Sequence, residues 1–362
     1  MKKALVLGKG KSGEASSALL RSCGYEVAFA DGYDLVVASP GLPTKSELQL
    51  GCEELKRRGW KLLAVTGSKG KSSVVKLVAE AIGGIPCGNY GRPVTDLVSE
   101  KPGWAVVEVS SFQLETTTLA SDTFEAAAIL NLQEDHLDRH GSVEVYHGLK
   151  RKLLSFARVN FVGGGRASEH PGVRASEHLW TGSYFDNEIL AGNAAIAVEL
   201  MRVAGLDDAK IAAAFKAFRP LPHRMNHVAE LGGVRYVDDS KATSIAALIA
   251  GVKMAGSRVR LIAGGLPKGD DPETAVPTLT ERVQKVYLIG QSAEAFCAAW
   301  KGAVDCEVCG TLDKAVQKVT CEAESGETVL LSPGTASFDQ FKSFGERGDV
   351  FANLVKRERK NK

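Results

Sequence analysis

The residues best suited to chemistry begin at Gly67. Gly67-Ser68-Lys69-Gly70-Lys71-Ser72-Ser73 stands between an apolar run, Leu62–Thr66, and a stretch with Val74, Val75, Leu77, Val78, Ala81 and Ile82 at helical spacing. A glycine-rich loop between a strand and a helix aims backbone N–H groups at phosphate, and the helix N-terminus adds positive potential. Gly67, Ser68, Lys69, Gly70 and Ser73 would line nucleotide phosphates, Lys71 would reach the β- and γ-phosphates, and Ser72 would ligate Mg²⁺. The loop is a short variant of the standard phosphate loop, because Val65 sits where that pattern has its first glycine. The competing reading is a tight turn with surface lysines.

Two acidic stretches accompany the loop. Trp104-Ala-Val-Val-Glu108-Val-Ser-Ser111 puts one carboxylate inside a buried-strand pattern. An ionised carboxylate is costly to bury unless it is paired or holds a metal, so Glu108 is a candidate Mg²⁺ ligand, with a salt-bridged core Glu as the alternative. After the run Ala126–Leu130 come Asn131-Leu-Gln-Glu134-Asp135-His136-Leu-Asp138-Arg139. These titratable groups crowd the C-terminal end of a strand, where open α/β sheets bind ligands, and His136 is the candidate among them. Near the start, Gly8-x-Gly10-x-x-Gly13 follows the first strand, and Asp31 ends the second. A unit this short supplies half of a dinucleotide site, enough for one nucleotide diphosphate. A structural turn or an NAD site remain as alternatives.

The elements that must position these groups alternate. Strand patterns fall at Ala4–Gly8, Glu26–Ala30, Leu35–Ala38, Leu62–Thr66, Ala105–Val109, Ala126–Leu130, Val234–Val237, Arg260–Gly264, Lys285–Ile289 and Thr328–Leu331. Their continuous apolar character predicts parallel sheets buried on both faces. Helical patterns between them include Gly13–Cys23, Ser46–Arg58, Lys71–Ile82, Ala191–Ala204, Asp208–Phe218, Ser244–Ala255 and Leu312–Glu324, which makes the class α/β. Arg219-Pro220-Leu221-Pro222 interrupts the alternation and predicts a linker.

Composition agrees with a globular chain. Its 362 residues suit two to three domains, with 44% hydrophobic and 24% charged residues. A net charge of +2 excludes a nucleic-acid-binding balance. No apolar run is long enough to span a membrane. The start is too short in apolar residues for a signal-peptide core, so a cytoplasmic protein is expected, and a monomer by default. Cys306 and Cys309 form a lone C-x-x-C without a second pair, which predicts incidental thiols.

Taken together, the chain resembles the Mur ligase family, and within it the D-glutamate-adding branch. The shared marks are Thr66-Gly-Ser-Lys-Gly-Lys-Ser, Gly88-Asn89-Tyr90-Gly91, Glu108-Val-Ser-Ser-Phe-Gln-Leu-Glu115, Asn131 through Asp138, His223-Arg224, Asp239-Ser-Lys-Ala-Thr243, and Leu331 through Phe344. The last two carry the D-glutamate signature. The resemblance implies three α/β domains. These are an abbreviated Rossmann-like domain over residues 1–48, a central P-loop-type ATPase domain with a mainly parallel sheet over 49–219, and a C-terminal Rossmann-like domain over 220–362.

The resemblance also implies roles. Lys71 and Ser72 sit at the ATP phosphates, Glu108 and His136 hold Mg²⁺, with two sites implied, and Lys150 matches a lysine that is carbamylated to give a further metal ligand. Lys71, Glu108, His136 and Lys150 form the implied catalytic set. Asn193 lies on the adenine side, with Arg224 and Asp239 facing the nucleotide. Asn89 touches the sugar-nucleotide, and Ser12, Asp31, Gly32 and Ser39 fall on positions that hold UDP. Thr243, Lys268, Ser337 and Phe344 match the D-glutamate pocket. The implied partners are UDP-N-acetylmuramoyl-L-alanine, D-glutamate and ATP. The interval from Asp31 to Ser39 is shorter than the family's, so the first domain is abbreviated. The alternatives are a sister ligase of the diaminopimelate-adding or folylpolyglutamate type, and a degenerate nucleotide-binding module.

Overall fold

The computed structural model describes residues 2–8, 10–30, 35–38, 45–133, 136–163 and 176–361. Asp31, Gly32 and Ser39, expected at UDP, lie outside the described residues, as do Glu134 and Asp135. The chain divides into two compact units, Met1–Phe218 and Arg219–Lys362. The division falls at the double-proline segment, whose fixed dihedrals and missing N–H groups suit neither a helix interior nor a central strand.

The first unit carries two sheets. The smaller contains β1 (Lys2–Leu7), β2 (Tyr25–Ala30), β3 (Leu35–Ala38) and β4 (Lys45–Ser46) in the order β2-β1-β3-β4. β1 and β2 are parallel, joined by the helix Lys11–Ser22, but β3 runs antiparallel to β1 and β4 antiparallel to β3. The expectation of parallel strands therefore fails here. The interval between β2 and β3 is too short for a parallel crossover, which takes a dozen or more residues.

The larger sheet contains β5 (Lys61–Thr66), β6 (Ile85–Gly88), β7 (Trp104–Glu108), β8 (Phe124–Ile129) and β9 (Ala157–Val162), in the order β6-β7-β5-β8-β9. Every pairing is parallel. β5, β7 and β8 are almost wholly buried, as their unbroken apolar sequences require. β5 lies at the centre, and its two neighbours belong to opposite halves of the sheet. Open α/β sheets place their ligand sites beyond the strand C-termini at such a reversal of strand order. One core joins β5 and β7 to the helix Glu47–Arg57, and Leu19 from the helix Lys11–Ser22 reaches into it. This shared core is why the small first sheet belongs to the same unit as the larger one.

The second unit holds one six-stranded sheet. Its strands are β10 (Asn226–Leu231), β11 (Val234–Asp238), β12 (Val259–Gly264), β13 (Val283–Ile289), β14 (Asp305–Gly310) and β15 (Thr328–Leu331), ordered β10-β11-β15-β12-β13-β14. All neighbours are parallel except β10 and β11, which a two-glycine turn joins as a hairpin. Both faces are covered by apolar cores, one reaching the helices Ile245–Ala255 and Ala293–Trp300, the other Leu312–Glu322 and Phe344–Asn361. No helix among the described residues is long and apolar enough to cross a membrane.

Gly13 shows how closely the first turn is built. A Cβ there would run into the carbonyl oxygen of Gly8. Gly13→Ala should destabilise the small sheet by about 1–3 kcal/mol through overpacking. Amide hydrogen exchange should show faster exchange in residues 2–30 with β5 and β8 unchanged; equal protection in both proteins would refute the contact.

Candidate functional site

The phosphate-type loop emerges from the C-terminal end of β5 and is stapled to the end of β8. Leu130 N–H donates to the Thr66 carbonyl (2.9 Å), and Ser68 N–H to the Asn131 carbonyl (3.0 Å). The Asn131 side chain brackets Lys69, accepting from its N–H (2.8 Å) and donating to its carbonyl (2.9 Å). Ser68 Oγ donates to the Gln133 carbonyl and accepts from the Gln133 N–H, both at 2.9 Å. Thr66 Oγ1 donates to the Val109 carbonyl (2.7 Å), which ties the loop's root to the residue after Glu108. Gly70 has φ +84°, a left-handed conformation costly for other residues, and a Cβ on it would strike the Asn193 amide. Asn193 is buried at the start of the helix Ala191–Val203 and accepts from Asn131 Nδ2 (3.3 Å).

Two ammonium groups converge on this loop. Lys71 Nζ donates to the Gly67 carbonyl (2.8 Å) and the Ser68 carbonyl (3.1 Å). Lys150 Nζ donates to the same Gly67 oxygen (3.0 Å) from the helix Val143–Lys152, where its side chain is buried over the Tyr146 ring, 4.6 Å from the centroid. The two cations are thus no farther apart than those bonds permit, a repulsive pairing that an anion would relieve. Ser72 and Ser73 occupy the first turn of the helix Lys71–Ile82, Ser72 half-exposed and Ser73 buried.

Glu108 is the buried carboxylate that its sequence context predicts, 2% exposed. Asn89 Nδ2 donates to its Oε1 (2.8 Å), while Oε2 is buried with no hydrogen-bond partner. Such an orphaned oxygen fits a hard cation. No group of three or more His, Cys, Asp or Glu assembles as a metal cluster among the described residues. A metal here would therefore draw other ligands from hydroxyl, phosphate or a modified lysine. His136 is exposed, with φ +54°, and its ring meets Phe112 and Tyr146 at centroid distances of 5.0 and 6.2 Å. Its short helix, Leu137–His140, is pinned by His140, which bonds Ser111 Oγ through Nε2 (3.0 Å) and faces Glu115 through Nδ1 (3.2 Å). Burial pushes the His140 pKa down despite that carboxylate. Ser12 is half-exposed in the first turn of the helix Lys11–Ser22.

The second unit gathers its own cluster at the C-terminal ends of β11, β12 and β15. His223, at φ +60°, bonds Asp238 Oδ2 through Nδ1 (2.7 Å). Asp239 is buried, accepting from Ser332 Oγ (2.9 Å) and the Met225 N–H (3.3 Å). Burial raises its carboxyl to about 7, against the pull of Ser332 and nearby Arg224. Lys241 sits 3.8 Å from the centroid of the Phe344 ring. Its ammonium is pushed below its usual range by burial, then by the charges of Arg224 and Lys268. Lys268 is exposed, with Nζ 3.5 Å from the Thr243 carbonyl, and Ser337 is buried. Three cations thus face one region, which suits a ligand with more than one negative charge.

Several contributors escaped the sequence reading as individuals. Asn131 entered only as part of a motif, yet it brackets the loop and meets Asn193. Tyr146 donates to Ser68 Oγ (3.2 Å) beneath Lys150. Its position four before Lys150 puts both on one helical face, a signal that was available. Lys241 was visible only as a member of Asp239–Thr243.

The Asp239 carboxyl gives a pH test. Its folded pKa lies above the unfolded value of about 4, so the folded protein keeps a proton that the unfolded chain releases. Its contribution to stability therefore falls as pH rises from about 4 to about 7 and is level above that. Asp239→Asn should flatten that part of the urea-midpoint profile of the ligand-free protein; an unchanged slope would refute the assignment.

Comparison with known proteins bears on this geometry. The Mur ligase middle domain matches residues 65–162, and the Mur ligase glutamate ligase domain matches residues 223–334. A UDP-N-acetylmuramoylalanine–D-glutamate ligase of Acidobacterium capsulatum is 34% identical over 452 aligned positions, taking in 98% of this chain and 96% of that protein. That alignment is longer than the present chain, so the relative carries residues this chain lacks. The protein of that name from Nitratidesulfovibrio vulgaris is 35% identical over 91% of this chain and 79% of its own. Among solved structures, MurF from Acinetobacter baumannii superimposes with a TM-score of 0.62 at 15% identity, covering 97% of this chain and 90% of that one. E. coli FolC in complex with ADP gives 0.58 at 16% identity, covering 86% and 94%. The structural likenesses establish a shared fold, and the sequence matches span the phosphate loop, the orphaned carboxylate and the cationic cluster alike. The chain belongs to the Mur ligase family.

Proposed function

We propose that the protein is an ATP-dependent amide ligase that adds D-glutamate to UDP-N-acetylmuramoyl-L-alanine in peptidoglycan precursor synthesis, acting as a cytoplasmic monomer. The observation that carries this reading is the nearly end-to-end match to a protein named for that reaction. The sister-ligase alternative rests on fold likeness at 14–17% identity, well below the identity to the D-glutamate ligases.

A free carboxylate is a poor acyl donor because its leaving group would be oxide. The alanyl carboxylate of the sugar-nucleotide would attack the γ-phosphorus of ATP, giving an acyl phosphate and ADP. The amine of D-glutamate would then attack the acyl carbon, forming the amide and expelling phosphate, with its proton lost to solvent or phosphate. The first step brings two anions together. Lys71 would supply positive charge to the transferring phosphoryl group once phosphate replaces the loop carbonyls it now bonds. Asn193 and Asn131 would fix the loop against the adenine side. Mg²⁺ held by Ser72, Glu108 and His136 would supply charge neutralisation around the phosphates.

Lys150 has a second proposed role. Its amine would take up CO₂ and release a proton, becoming a carbamate. That reaction turns the repulsive pair of cations at Gly67 into an attractive pair and adds an oxygen ligand. In the second unit, Lys241 and Lys268 would offer the positive field for an amino acid with two carboxylates, with Arg224 and Asp239 on the nucleotide side. Ser337 and Thr243 add hydroxyls, and Phe344 an apolar wall. Asn89 and the Gly8–Gly13 turn with Ser12 would serve the sugar-nucleotide.

The direct test is phosphate release by purified protein with ATP, Mg²⁺ and UDP-N-acetylmuramoyl-L-alanine across a panel of amino acids. Release should depend on D-glutamate; release with another amino acid would favour the sister ligase, and none at all the degenerate module. Lys71→Ala should lower kcat by roughly 10²–10³-fold, the usual cost of removing a group that stabilises transition-state charge. Retained turnover would refute the loop's role.

A further inference from the structure

Arg347 is fully buried in the first turn of the helix Phe344–Asn361. Its guanidinium makes four hydrogen bonds, all to neutral oxygens. Nε donates to Ser240 Oγ (2.9 Å), and Nη2 to the carbonyls of Ser240 (2.9 Å) and Thr335 (3.2 Å). Nη1 donates to the Ala336 carbonyl (3.2 Å). Burial lowers its pKa to about 10, although the charges of Asp339 and Asp238 oppose the shift. Placing a cation there is costly twice over: it is desolvated, and it stands near the positive end of a helix.

The four bonds reach two of the loops that carry residues assigned to the acceptor pocket, and the third loop pairs with one of these. Ser240 belongs to the loop with Lys241 and Thr243, and its Oγ donates to the Phe344 carbonyl (2.8 Å). Thr335 and Ala336 immediately precede Ser337. Ala336 also pairs with Leu266, each N–H donating to the other's carbonyl (2.9 and 3.1 Å), and Leu266 lies two residues before Lys268. Gly265 lets these loops approach, since a Cβ there would run into the Ala336 carbonyl oxygen and Thr335 Oγ1. Thr243, Lys268, Ser337 and Phe344 are distant in sequence and share this one fork as a common support.

We infer that Arg347 is the positioning residue of the acceptor pocket, holding two loops directly and a third through Ala336 in the register that recognises a dicarboxylic amino acid. The inference rests on the ligase reading above. Arg347 touches no reacting atom. It acts through carbonyls, and its planar fork satisfies four acceptors that lysine's single nitrogen cannot match in direction.

The experiment measures steady-state kinetics of wild type, Arg347→Lys, Arg347→Met and Ser240→Ala, with thermal melting as a folding control. Ser240→Ala removes one arm's partner and leaves the buried cation in place. Arg347→Met should raise KM for D-glutamate at least tenfold, Arg347→Lys and Ser240→Ala by smaller factors, with KM for ATP within twofold throughout. A merely structural role would move both KM values together. Should Arg347→Met fail to fold, Ser240→Ala carries the test alone, with a threefold or greater rise expected. Unchanged D-glutamate KM, or equal rises for D-glutamate and ATP, would overturn the inference while leaving the ligase reading intact. Absence of D-glutamate-dependent turnover in the wild type would overturn both.

Discussion

One backbone oxygen organises the first unit. The Gly67 carbonyl accepts from both Lys71 and Lys150, whose sequence positions are far apart. Glycine at 67 and 70 lets the loop turn tightly beside Leu130 and Asn193, and each neighbour in turn is fixed by a parallel strand or a helix start. The charges can converge because the sheet places the ends of β5, β7 and β8 side by side. Remove the central position of β5 and neither the loop nor Glu108 would have the other within reach.

The second unit solves a related problem with a side chain in place of a backbone. Its parallel strands also deliver loops to one edge, but those loops are irregular, with an isolated β-bridge at Leu266–Ala336. A buried guanidinium gathers carbonyls from them where the first unit uses Asn131 and Ser68. Asp239 and Lys241 then sit on a loop whose backbone is fixed from beneath. Buried polar groups of this kind stabilise a fold only when every partner is present, which makes such a cluster cooperative.

The central strands were legible because apolar runs buried on both faces leave a continuous signal. All ten expected strands appear, and the helix Lys71–Ile82 begins and ends where glycines at 70 and 83 adopt left-handed angles. β4, β6, β9, β10 and β14 went unread: they are short, lie at or near sheet edges, or carry charged and exposed residues, so alternation is blurred. The antiparallel β3 was hidden because strand direction depends on connection geometry more than on composition. Phosphate-loop residues and Glu108 stood out since glycine spacing and a carboxylate in an apolar run are local. The supporting network, Asn131 to Asn193 or Arg347 to Ser240, joins residues remote in sequence and ordinary in type.

The proline-marked break after Phe218 has a consequence for how the chain comes into being. The first unit closes its sheets and its core using only its own residues. On a ribosome it would have all its partners before the six-stranded sheet is even translated, and domains generally fold as units in that order. The second sheet, by contrast, waits for β15, which inserts between β11 and β12 although it is synthesised last of the six. Until then the two halves of that sheet expose unpaired edges, so this late strand sets how long the nascent enzyme depends on protection from aggregation.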